Sequence, residues 1–439
     1  MKDLVVCKFG GSSVADAQQF QKIKTIVDSD KRRRIIVVSA PGKRHETETK
    51  LTDLFYSTYD LATKNLDFSE PWKLISDRYL EIVADLGVQS EVQKDLNLLQ
   101  EQLKSQAQEI TEDFLVSRGE FLCARIMAEF LNAEFVDAFP LIQFNNRYKV
   151  SDESYRNIAE TINTDKITVI PGFYGANTKG EVKTFSRGGS DITGSILAKA
   201  CDATLYENWT DVSGLLMANP NIVENPLPMT HVSYAEIREL AYSGASVLHD
   251  EAITPCRDKN IPISIKNTNK PADAGTLIIP QTDKYSHVIT GVAGRKGFAM
   301  LHVEKFMMNK ERGFGRRLMV ILEELNLSWE LAPAGIDSMS VILEQSHFEK
   351  VESEVLEKIQ QQLNVDLIKV SKDIALIATV GHGMTNKIGV AATLFQAIAE
   401  AEINIRIIDQ GSSEINIIIG VDHCDFENAI NTIYRAFMS

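Results

Sequence analysis

Residues 3–13 read Asp-Leu-Val-Val-Cys-Lys-Phe-Gly-Gly-Ser-Ser, an apolar run that leads into a lysine and a pair of glycines. A second apolar run, Ile-Ile-Val-Val-Ser, occupies residues 35–39. Between them, residues 13–28 contain no glycine or proline and have helical character. Short, continuous apolar strands are typical of a parallel sheet that is covered on both faces. The order of strand, glycine turn, helix and strand therefore predicts a βαβ unit and an α/β fold.

The bulk composition narrows the class of protein. The 439 residues exceed one ordinary core, so we expect two or three domains. A net charge of −14 argues against nucleic acid as a partner, and no apolar stretch is long enough to span a membrane. The five cysteines are scattered, and neither they nor the histidines have metal-ligand spacing. We therefore expect a reduced, cytoplasmic protein without disulfides or a bound transition metal.

Helical periodicity continues through residues 52–132, and strand-like runs follow at 167–170, 203–206, 261–265 and 276–279. Residues 270–286 are rich in proline, glycine, aspartate and lysine, which is typical of a boundary between domains. The sequence thus predicts an N-terminal domain over residues 1–285.

The C-terminal third contains a degenerate internal repeat. Its first copy has a strand at 297–303, a helix at 315–325 and a strand at 339–343. The second copy repeats this order with a strand at 374–380, a helix at 390–401 and a strand at 415–420. The repeat predicts two ferredoxin-like βαββαβ domains, at 290–365 and 370–439 or interleaved with each other, a common scaffold for binding.

The first glycine pair is a candidate anion site. Gly10, Gly11 and Ser12 follow the first strand, where backbone N–H groups can approach an anion that a Cβ would keep away. Lys8 adds a compact positive charge at the end of the same strand. The spacing matches neither a Walker A motif nor a dinucleotide-binding motif, and an ordinary tight turn is the structural alternative.

Residues 187–191, Arg-Gly-Gly-Ser-Asp, repeat this combination before a second helical stretch that begins near Asp191. Arg187 offers a planar fork that suits a carboxylate or a phosphate. The structural alternative is that Ser190 or Asp191 only caps the helix. Two further stretches are weaker candidates: Ser117–Glu120, where Glu120 could cap an apolar helix, and residues 209–214, which could receive a ribose or adenine.

Taken together and in order, these motifs resemble aspartate kinase over essentially the whole chain. The residues that carry the resemblance are 8–14 (Lys-Phe-Gly-Gly-Ser-Ser-Val), 39–44 (Ser-Ala-Pro-Gly-Lys-Arg), 52–54 (Thr-Asp-Leu), 117–120 (Ser-Arg-Gly-Glu), 186–191 (Ser-Arg-Gly-Gly-Ser-Asp), 209–214 (Trp-Thr-Asp-Val-Ser-Gly), 247–249 (Val-Leu-His) and 267–271 (Asn-Thr-Asn-Lys-Pro).

The resemblance implies an amino-acid-kinase fold, a largely parallel sheet between helical layers, followed by two ACT domains. It implies ATP-dependent phosphorylation of the side-chain carboxylate of L-aspartate to 4-phospho-L-aspartate. This reaction is the first step toward lysine, threonine and methionine and, in bacteria, diaminopimelate. A carboxylate is already a nucleophile at neutral pH, so the chemistry calls for positioning and charge neutralisation rather than a general base.

The resemblance also implies roles for individual residues. Lys8 and Asp191 would be catalytic, and Mg-ATP would bring its metal mainly through the phosphates. The implied aspartate-binding residues are Ser39, Thr52, Glu120, Phe173, Arg187, Gly188, Gly189 and Ser190. The implied nucleotide-binding residues are Lys8, Gly10, Gly11, Ser12, Thr210, Asp211, Gly214 and Lys270, with Lys266 as the alternative to Lys270. The implied effector-binding residues are Met308, Ser328, Glu330, Asp337, Ser338, Met384, Ser413 and Glu414.

Two carboxylates among the effector residues, Glu330 and Asp337, favour lysine over threonine as the allosteric ligand, although solvated turn acids would look the same in sequence. ACT domains typically pair, so the resemblance implies a homodimer or tetramer. Two other functions remain open at this stage. One is a kinase for a different amino acid or nucleotide, and the other is a catalytically inactive amino-acid sensor.

Overall fold

The computed structural model describes residues 3–186, 188–245, 250–281 and 287–438. They divide into two compact units: residues 3–215, 228–235 and 250–281 form the first, and residues 216–227, 236–245 and 287–438 form the second. Two short segments, 216–227 and 236–245, thus pack with the C-terminal part although they precede residue 285. The domain bounds given above, 1–285, 290–365 and 370–439, stay predictions.

The N-terminal two thirds alternate strands and helices. The strands are β1 (Val5–Phe9), β2 (Arg33–Val38), β3 (Glu134–Phe135), β4 (Thr168–Pro171), β5 (Tyr174–Ala176), β6 (Val182–Thr184), β7 (Leu205–Thr210), β8 (Leu215–Leu216), β9 (Pro228–Met229), β10 (His231–Ser233), β11 (Ile263–Asn267) and β12 (Thr276–Ile279). The helices are α1 (Ala17–Asp28), α2 (Leu51–Thr63), α3 (Ser69–Leu86), α4 (Val92–Gln106), α5 (Glu112–Leu131), α6 (Asp152–Thr161), α7 (Gly189–Ala200), α8 (Tyr234–Tyr242) and α9 (Asp250–Asp258).

The first unit is built on an eight-stranded sheet in the order β10-β12-β11-β7-β1-β2-β4-β3. The strands from β11 to β3 run parallel to one another, and β12 is antiparallel to β11. Every residue of β1 is buried, because this strand lies near the middle of the sheet with helices on both sides. The predicted α/β fold with a largely parallel sheet is therefore confirmed.

The first helix begins later than the sequence pattern suggests. Residues 11–14 form a short 3₁₀ helix, and α1 starts at Ala17 because the Asp16 carboxylate caps it by accepting the N–H of Gln19 at 2.9 Å. Its buried side chains include Phe20, Ile23 and Val27, which recur at spacings of three and four residues and face the core.

The second unit carries the internal repeat. Its strands are β13 (Gly291–Glu304), β14 (Trp329–Leu331), β15 (Ser338–Glu344), β16 (Leu367–Val380), β17 (Ile407–Asp409) and β18 (Asn416–Asp422). Its helices are α10 (Phe314–Glu324), α11 (Gln345–Phe348), α12 (Glu352–Leu363), α13 (Val390–Glu400) and α14 (Phe426–Met438). All six strands form one sheet in the order β14-β15-β13-β16-β18-β17.

The two copies of the repeat share the two long central strands. The second half of β13 pairs with β15 and with the first half of β16, whereas the first half of β13, Gly291–Arg295, pairs with Leu376–Val380 at the end of β16. Each half of the sheet is thus ferredoxin-like. The half that contains β17 and β18 takes one of its four strands, the first part of β13, from a segment that precedes the other half in the sequence. The two halves belong to one continuous sheet, so they cannot move independently without breaking these ladders.

No described helix combines the length and the apolar character that crossing a membrane requires.

A buried charged cluster fastens the middle of the first sheet. The Glu207 carboxylate in β7 accepts hydrogen bonds from the Arg33 guanidinium in β2 at 2.7 and 3.0 Å and from Trp209 Nε1 at 3.0 Å. The Cys7 thiol in β1 lies 3.3 Å from the same carboxylate, and burial raises the pKa of this thiol well above its ordinary value. The cluster therefore links the three adjacent strands β2, β1 and β7 through side-chain contacts.

Replacement of Arg33 tests this cluster. Arg33→Met removes the cation and leaves a carboxylate in the interior, which should lower the free energy of unfolding by about 3 kcal/mol, measured by urea unfolding of the purified chain. The neighbouring Arg32→Met is the matched control, because Arg32 pairs with Asp30 at the surface and its side chain is 46% exposed. Equal shifts of the two midpoints would contradict a structural role for the buried pair.

Candidate active site

The candidate residues meet at one edge of the first sheet. Parallel strands present their carboxyl ends together, and ligands of open α/β sheets bind in the crevice beyond these ends. Gly10 follows β1, Ser39 follows β2, Phe173 follows β4 and Thr210 ends β7. Four of the predicted site residues thus reach the same crevice from separate parts of the sequence.

At the centre of this edge is an ion pair. Lys8 in β1 is only 7% exposed, and its Nζ lies 2.6 Å from Asp191 Oδ1 in the first turn of α7. A buried ammonium is stable only with a partner. The structure therefore brings together the two residues that were predicted to be catalytic, although 183 positions separate them in the sequence.

The glycine turn beside Lys8 is in direct backbone contact with its neighbours. The Gly10 N–H donates to the carbonyl of Trp209 at 3.0 Å, and the Gly42 N–H donates to the carbonyl of Gly11 at 2.8 Å. A Cβ on Gly42 would lie 2.6 Å from the carbonyl carbon of Gly11, and one on Gly10 would lie 3.3 Å from Lys8 Nζ. Glycine is required at position 42, because a Cβ there would overlap the Gly11 backbone, and at position 10 a Cβ would crowd the ammonium of Lys8.

The second glycine pair forms the start of α7. Gly188 adopts a left-handed conformation with φ of 60°, and the helix begins at Gly189. The structural alternative, in which Ser190 or Asp191 caps the helix, is therefore excluded, since both lie inside its first turn. A Cβ on Gly189 would lie 2.7 Å from the Phe173 ring, so the helix start packs directly on the segment after β4. Arg187, the predicted carboxylate clamp, lies outside the described residues, as do residues 247–249.

Phe173 holds an unusual backbone conformation. Its φ of 82° is rare for a residue with a side chain and costs on the order of 1–3 kcal/mol. Two hydrogen bonds compensate: its N–H donates to Thr193 Oγ1 at 3.2 Å, and its carbonyl accepts the N–H of Phe185 at 2.9 Å. This strained turn places the half-buried aromatic ring against the start of α7.

Glu120 lies inside a helix rather than ahead of one. The structure places Ser117–Glu120 in the middle of α5, so Glu120 does not cap a helix. The side chain is only 5% exposed, accepts a hydrogen bond from the backbone of Ala40, and has one oxygen, Oε2, without a hydrogen-bond partner among the described residues. Burial raises the pKa of this carboxyl to about 8. The neighbouring Arg118 stacks on aromatic rings, and its charge offsets the effect of burial on this pKa only in part.

Ser39 and Thr52 flank a long loop whose conformation depends on a residue that sequence reasoning missed. Arg78 in α3 is buried, donates to the carbonyls of Gly42 and Ala15 at 2.8 Å each, and pairs with Glu48 at 2.7 Å. The loop is thereby held against the glycine turn, and Thr52 is half-buried in the first turn of α2. The sequence signal for this role is that Arg78 shares the apolar face of α3 with residues such as Ile75 and Ile82.

The predicted nucleotide loop is fixed by β11 and β12. The carbonyl of Thr210 accepts the N–H of Thr268 at 2.8 Å, and the carbonyl of Asp211 accepts from Asn267 Nδ2 at 3.1 Å. Gly214 has φ of 97°, and a Cβ there would lie 2.6 Å from Thr276 Oγ1. The loop therefore has a defined shape, with the Asp211 side chain exposed.

The two candidate lysines near residue 270 differ in their surroundings. Lys266 lies within β11, and its ammonium is 5.4 Å from the centre of the Trp209 ring. Lys270 is exposed in the turn that follows the carboxyl end of β11. Lys270 is thus the more exposed of the two, and its choice over Lys266 stays a prediction.

In the second unit, the predicted effector residues form two separate groups. In the first, Asn309 donates to the carbonyl of Ile336 at 3.1 Å, which brings the loop of Met308 to Asp337 and Ser338. Asp337 Oδ1 is buried and has no hydrogen-bond partner within the described ranges. Ser328 is exposed just before β14.

Glu330, which also belongs to the first group, already forms an ion pair with Arg295. Its carboxylate lies 3.2 Å from Arg295. Met308 is buried in the hydrophobic core rather than open to a ligand.

The second group lies in the other half of the sheet. The Glu414 carboxylate accepts the N–H of Asn386 at 2.9 Å, next to the buried Met384, while Ser413 is exposed. The two groups lie at opposite ends of the sheet, because Ser338 pairs with Glu304 and Asn416 pairs with Val380, at opposite ends of the ladder between β13 and β16. A site with both groups as walls would therefore need a second copy of the chain.

Comparison with known proteins identifies the fold. Residues 3–267 match the model of the amino acid kinase family, and residues 377–437 match an ACT domain. The chain is 38% identical to aspartokinase 3 of Bacillus subtilis, an alignment that covers 99% of this chain and 98% of that protein. The chain belongs to the aspartokinases of the amino acid kinase family.

Solved structures agree with this assignment. The aspartate kinase of Clostridium acetobutylicum is 47% identical to this aspartokinase, with a TM-score of 0.91 over 99% of this chain and 100% of that one. Two structures of Escherichia coli aspartokinase III, each 24% identical, share the fold over essentially both full lengths. Their TM-scores are 0.80 in complex with aspartate and ADP and 0.74 in complex with lysine and aspartate. The predicted amino-acid-kinase fold with ACT units is confirmed, and the enzyme is a phosphotransferase with a carboxyl group as acceptor.

Proposed function

We propose that this aspartokinase transfers the γ-phosphoryl group of ATP to the side-chain carboxylate of L-aspartate, which yields 4-phospho-L-aspartate and ADP. The observation that carries the proposal is the buried pair of Lys8 and Asp191 beside the glycine turn. Further support comes from the Bacillus subtilis relative, with which the chain aligns over nearly its full length.

The chemistry follows from the charges. Both reactants are anions, so the main barrier is their repulsion as they approach. Lys8 neutralises the phosphoryl group in transit, and the backbone N–H groups of Gly11 and Ser12, with Gly10 allowing close approach, donate to its oxygens. Asp191 keeps the ammonium of Lys8 at the sheet edge. No general base is required because the attacking carboxylate is already ionised.

The aspartate pocket lies between α5, α7 and the loop after β2. Glu120 faces the substrate ammonium with its unpaired oxygen, and Ser39 and Thr52 hydrogen-bond the substrate. Phe173 forms one wall against Gly188, Gly189 and Ser190, and Arg187 holds the α-carboxylate. In this assignment the substrate ammonium is the hydrogen-bond partner of Glu120 Oε2, which is buried and has no other partner among the described residues.

The nucleoside is received by Thr210, Asp211 and Gly214, and Lys270 contacts a phosphate. Within the described residues, no three acidic, histidine or cysteine side chains form a metal cluster. The Asp191 carboxylate is already engaged by Lys8 and by the side-chain amide of Asn208. This donor set fits Mg²⁺ that arrives with the ATP phosphates, whose charge it reduces.

A turnover assay tests the activity. We expect ADP release from Mg-ATP that depends on L-aspartate, with hydroxylamine trapping the acyl phosphate as a hydroxamate. L-glutamate in place of L-aspartate is the control for a related amino-acid kinase. ADP release without hydroxamate, or no dependence on aspartate, would contradict the proposal and favour a catalytically inactive sensor.

The pKa of Glu120 predicts a dependence on pH. The carboxyl is neutral below about pH 8 in the free enzyme, and a substrate ammonium binds the ionised form. The KM for aspartate should therefore fall as pH rises toward 8, by up to about tenfold per pH unit, and level off above it. Glu120→Gln should remove this slope, whereas Glu112→Gln, an exposed residue at the start of the same helix, should keep it. An unchanged slope in Glu120→Gln would assign the titration to another group.

We further propose that lysine inhibits the enzyme through the ACT units of two chains, with threonine as the alternative effector. Asp337 supports a cationic ligand because its buried Oδ1 has no hydrogen-bond partner within the described residues. The lysine-bound Escherichia coli enzyme shares the fold. On this proposal the enzyme is a cytoplasmic homodimer or tetramer. It catalyses the first step in the biosynthesis of lysine, threonine, methionine and diaminopimelate.

Substitution of Asp337 tests the effector site. Asp337→Asn should raise the half-inhibitory lysine concentration about tenfold or more, because a charge-assisted hydrogen bond is lost, while turnover without lysine is unchanged. The control is Glu344→Gln at the exposed end of the adjoining strand β15. Inhibition by threonine and not by lysine would overturn the choice of effector, and equal inhibition of both variants would move the site elsewhere.

A further inference from the structure

The residue directly opposite Lys8 has no assigned role. β1 and β7 run parallel, and Lys8 and Asn208 are partners in their register. Partners on adjacent strands project to the same face of a sheet. The side chains of Lys8 and Asn208 therefore lie side by side at the edge of the active site, and Asn208 is only 4% exposed.

The amide of Asn208 contacts both members of the central ion pair. Its Nδ2 donates to Asp191 Oδ1 at 2.9 Å, and its Oδ1 accepts from Lys8 Nζ at 3.4 Å. The opposite orientation would place the NH₂ group against an ammonium and the carbonyl against a carboxylate, which is unfavourable on both sides. A single neutral side chain thus satisfies the cation and the anion together.

A second residue of β7 holds the same helix turn. Tyr206 lies two positions before Asn208 and so projects to the same face, where its hydroxyl donates to the carbonyl of Asp191 at 3.1 Å. A Cβ on Gly194 would lie 2.6 Å from the Tyr206 ring, so α7 approaches the strand closely. β7 therefore holds Asp191 by its backbone through Tyr206 and by its side chain through Asn208.

We propose that Asn208 is a positioning residue that sets the geometry of the Lys8–Asp191 pair for phosphoryl transfer. This inference rests on the proposed function. Without the amide, Asp191 Oδ1 loses its neutral donor and Lys8 loses its second acceptor, so the ion pair keeps its contact but the orientation of both side chains is less restricted. An amide does this without changing the net charge at the site, which a third ionised group would alter.

Two variants of similar shape separate positioning from folding. Asn208→Leu removes both hydrogen bonds at nearly constant volume, and Asn208→Asp replaces the amide with a carboxyl that competes for Lys8. We expect kcat to fall about ten- to a hundredfold in Asn208→Leu and further in Asn208→Asp, with the KM values for ATP and aspartate within about threefold of wild type. A raised KM at constant kcat, or kcat within twofold of wild type in both folded variants, would overturn the proposal.

A second readout does not depend on turnover. Acetic anhydride labelling of Lys8, followed by mass spectrometry against the exposed lysines as internal standards, reports how firmly the ammonium is held. Faster labelling of Lys8 in Asn208→Leu than in wild type is expected, and an unchanged rate would overturn the proposal. If wild type itself shows no aspartate-dependent turnover, the proposed function fails, and the labelling result alone decides the role of Asn208.

Discussion

A buried ammonium cannot remain unpaired, and the first unit is arranged around that constraint. Lys8 lies in a central strand where every residue is buried, so its charge has to be met at the sheet edge. Asp191 meets it at 2.6 Å, which requires the start of α7 to approach β1 and β7 closely. The left-handed Gly188, the crowded Gly189 and the strained Phe173 each follow from this approach. The same proximity places the ammonium of Lys8, paired with Asp191, at the sheet edge that borders the crevice.

The crevice is shaped by backbone contact rather than by large side chains. Gly10, Gly11 and Gly42 allow neighbouring loops to form backbone hydrogen bonds beside Lys8, and Arg78 holds the outer loop through the carbonyl of Gly42. Under the proposed function, a site held in this way would receive a phosphoryl group with little rearrangement at the reacting atoms. In the second unit, the shared strands β13 and β16 join the two ACT units into one body. An effector bound to one half would therefore act on both, provided that it binds one arrangement of the chains better than another.

Local patterns in the sequence predicted the parts of the structure that depend on local physics. The strand at residues 5–9, its glycine turn and the helical stretch from 52 to 132 follow from apolar runs and from the small number of glycines and prolines. The structural alternatives, in which Ser190, Asp191 or Glu120 caps a helix, are excluded, because α7 begins after the left-handed Gly188 and α5 begins after Thr111, whose side chain accepts the N–H of Phe114. Contacts between residues far apart in the sequence could not be predicted from local sequence patterns. Arg78, the register that pairs Lys8 with Asn208 and the exchange of strands in the second unit all arise from tertiary packing.

The central claim is that the charge of Lys8 promotes transfer rather than binding. Lys8→Met keeps most of the side-chain volume and removes the charge, so the direct test is single-turnover hydroxamate formation alongside equilibrium binding of ADP and aspartate. The account predicts a single-turnover rate that is lower than that of wild type by a factor on the order of a thousand or more. Both dissociation constants should stay within about threefold of wild type. A near-normal rate, or a loss of rate explained entirely by weaker nucleotide binding, would contradict it.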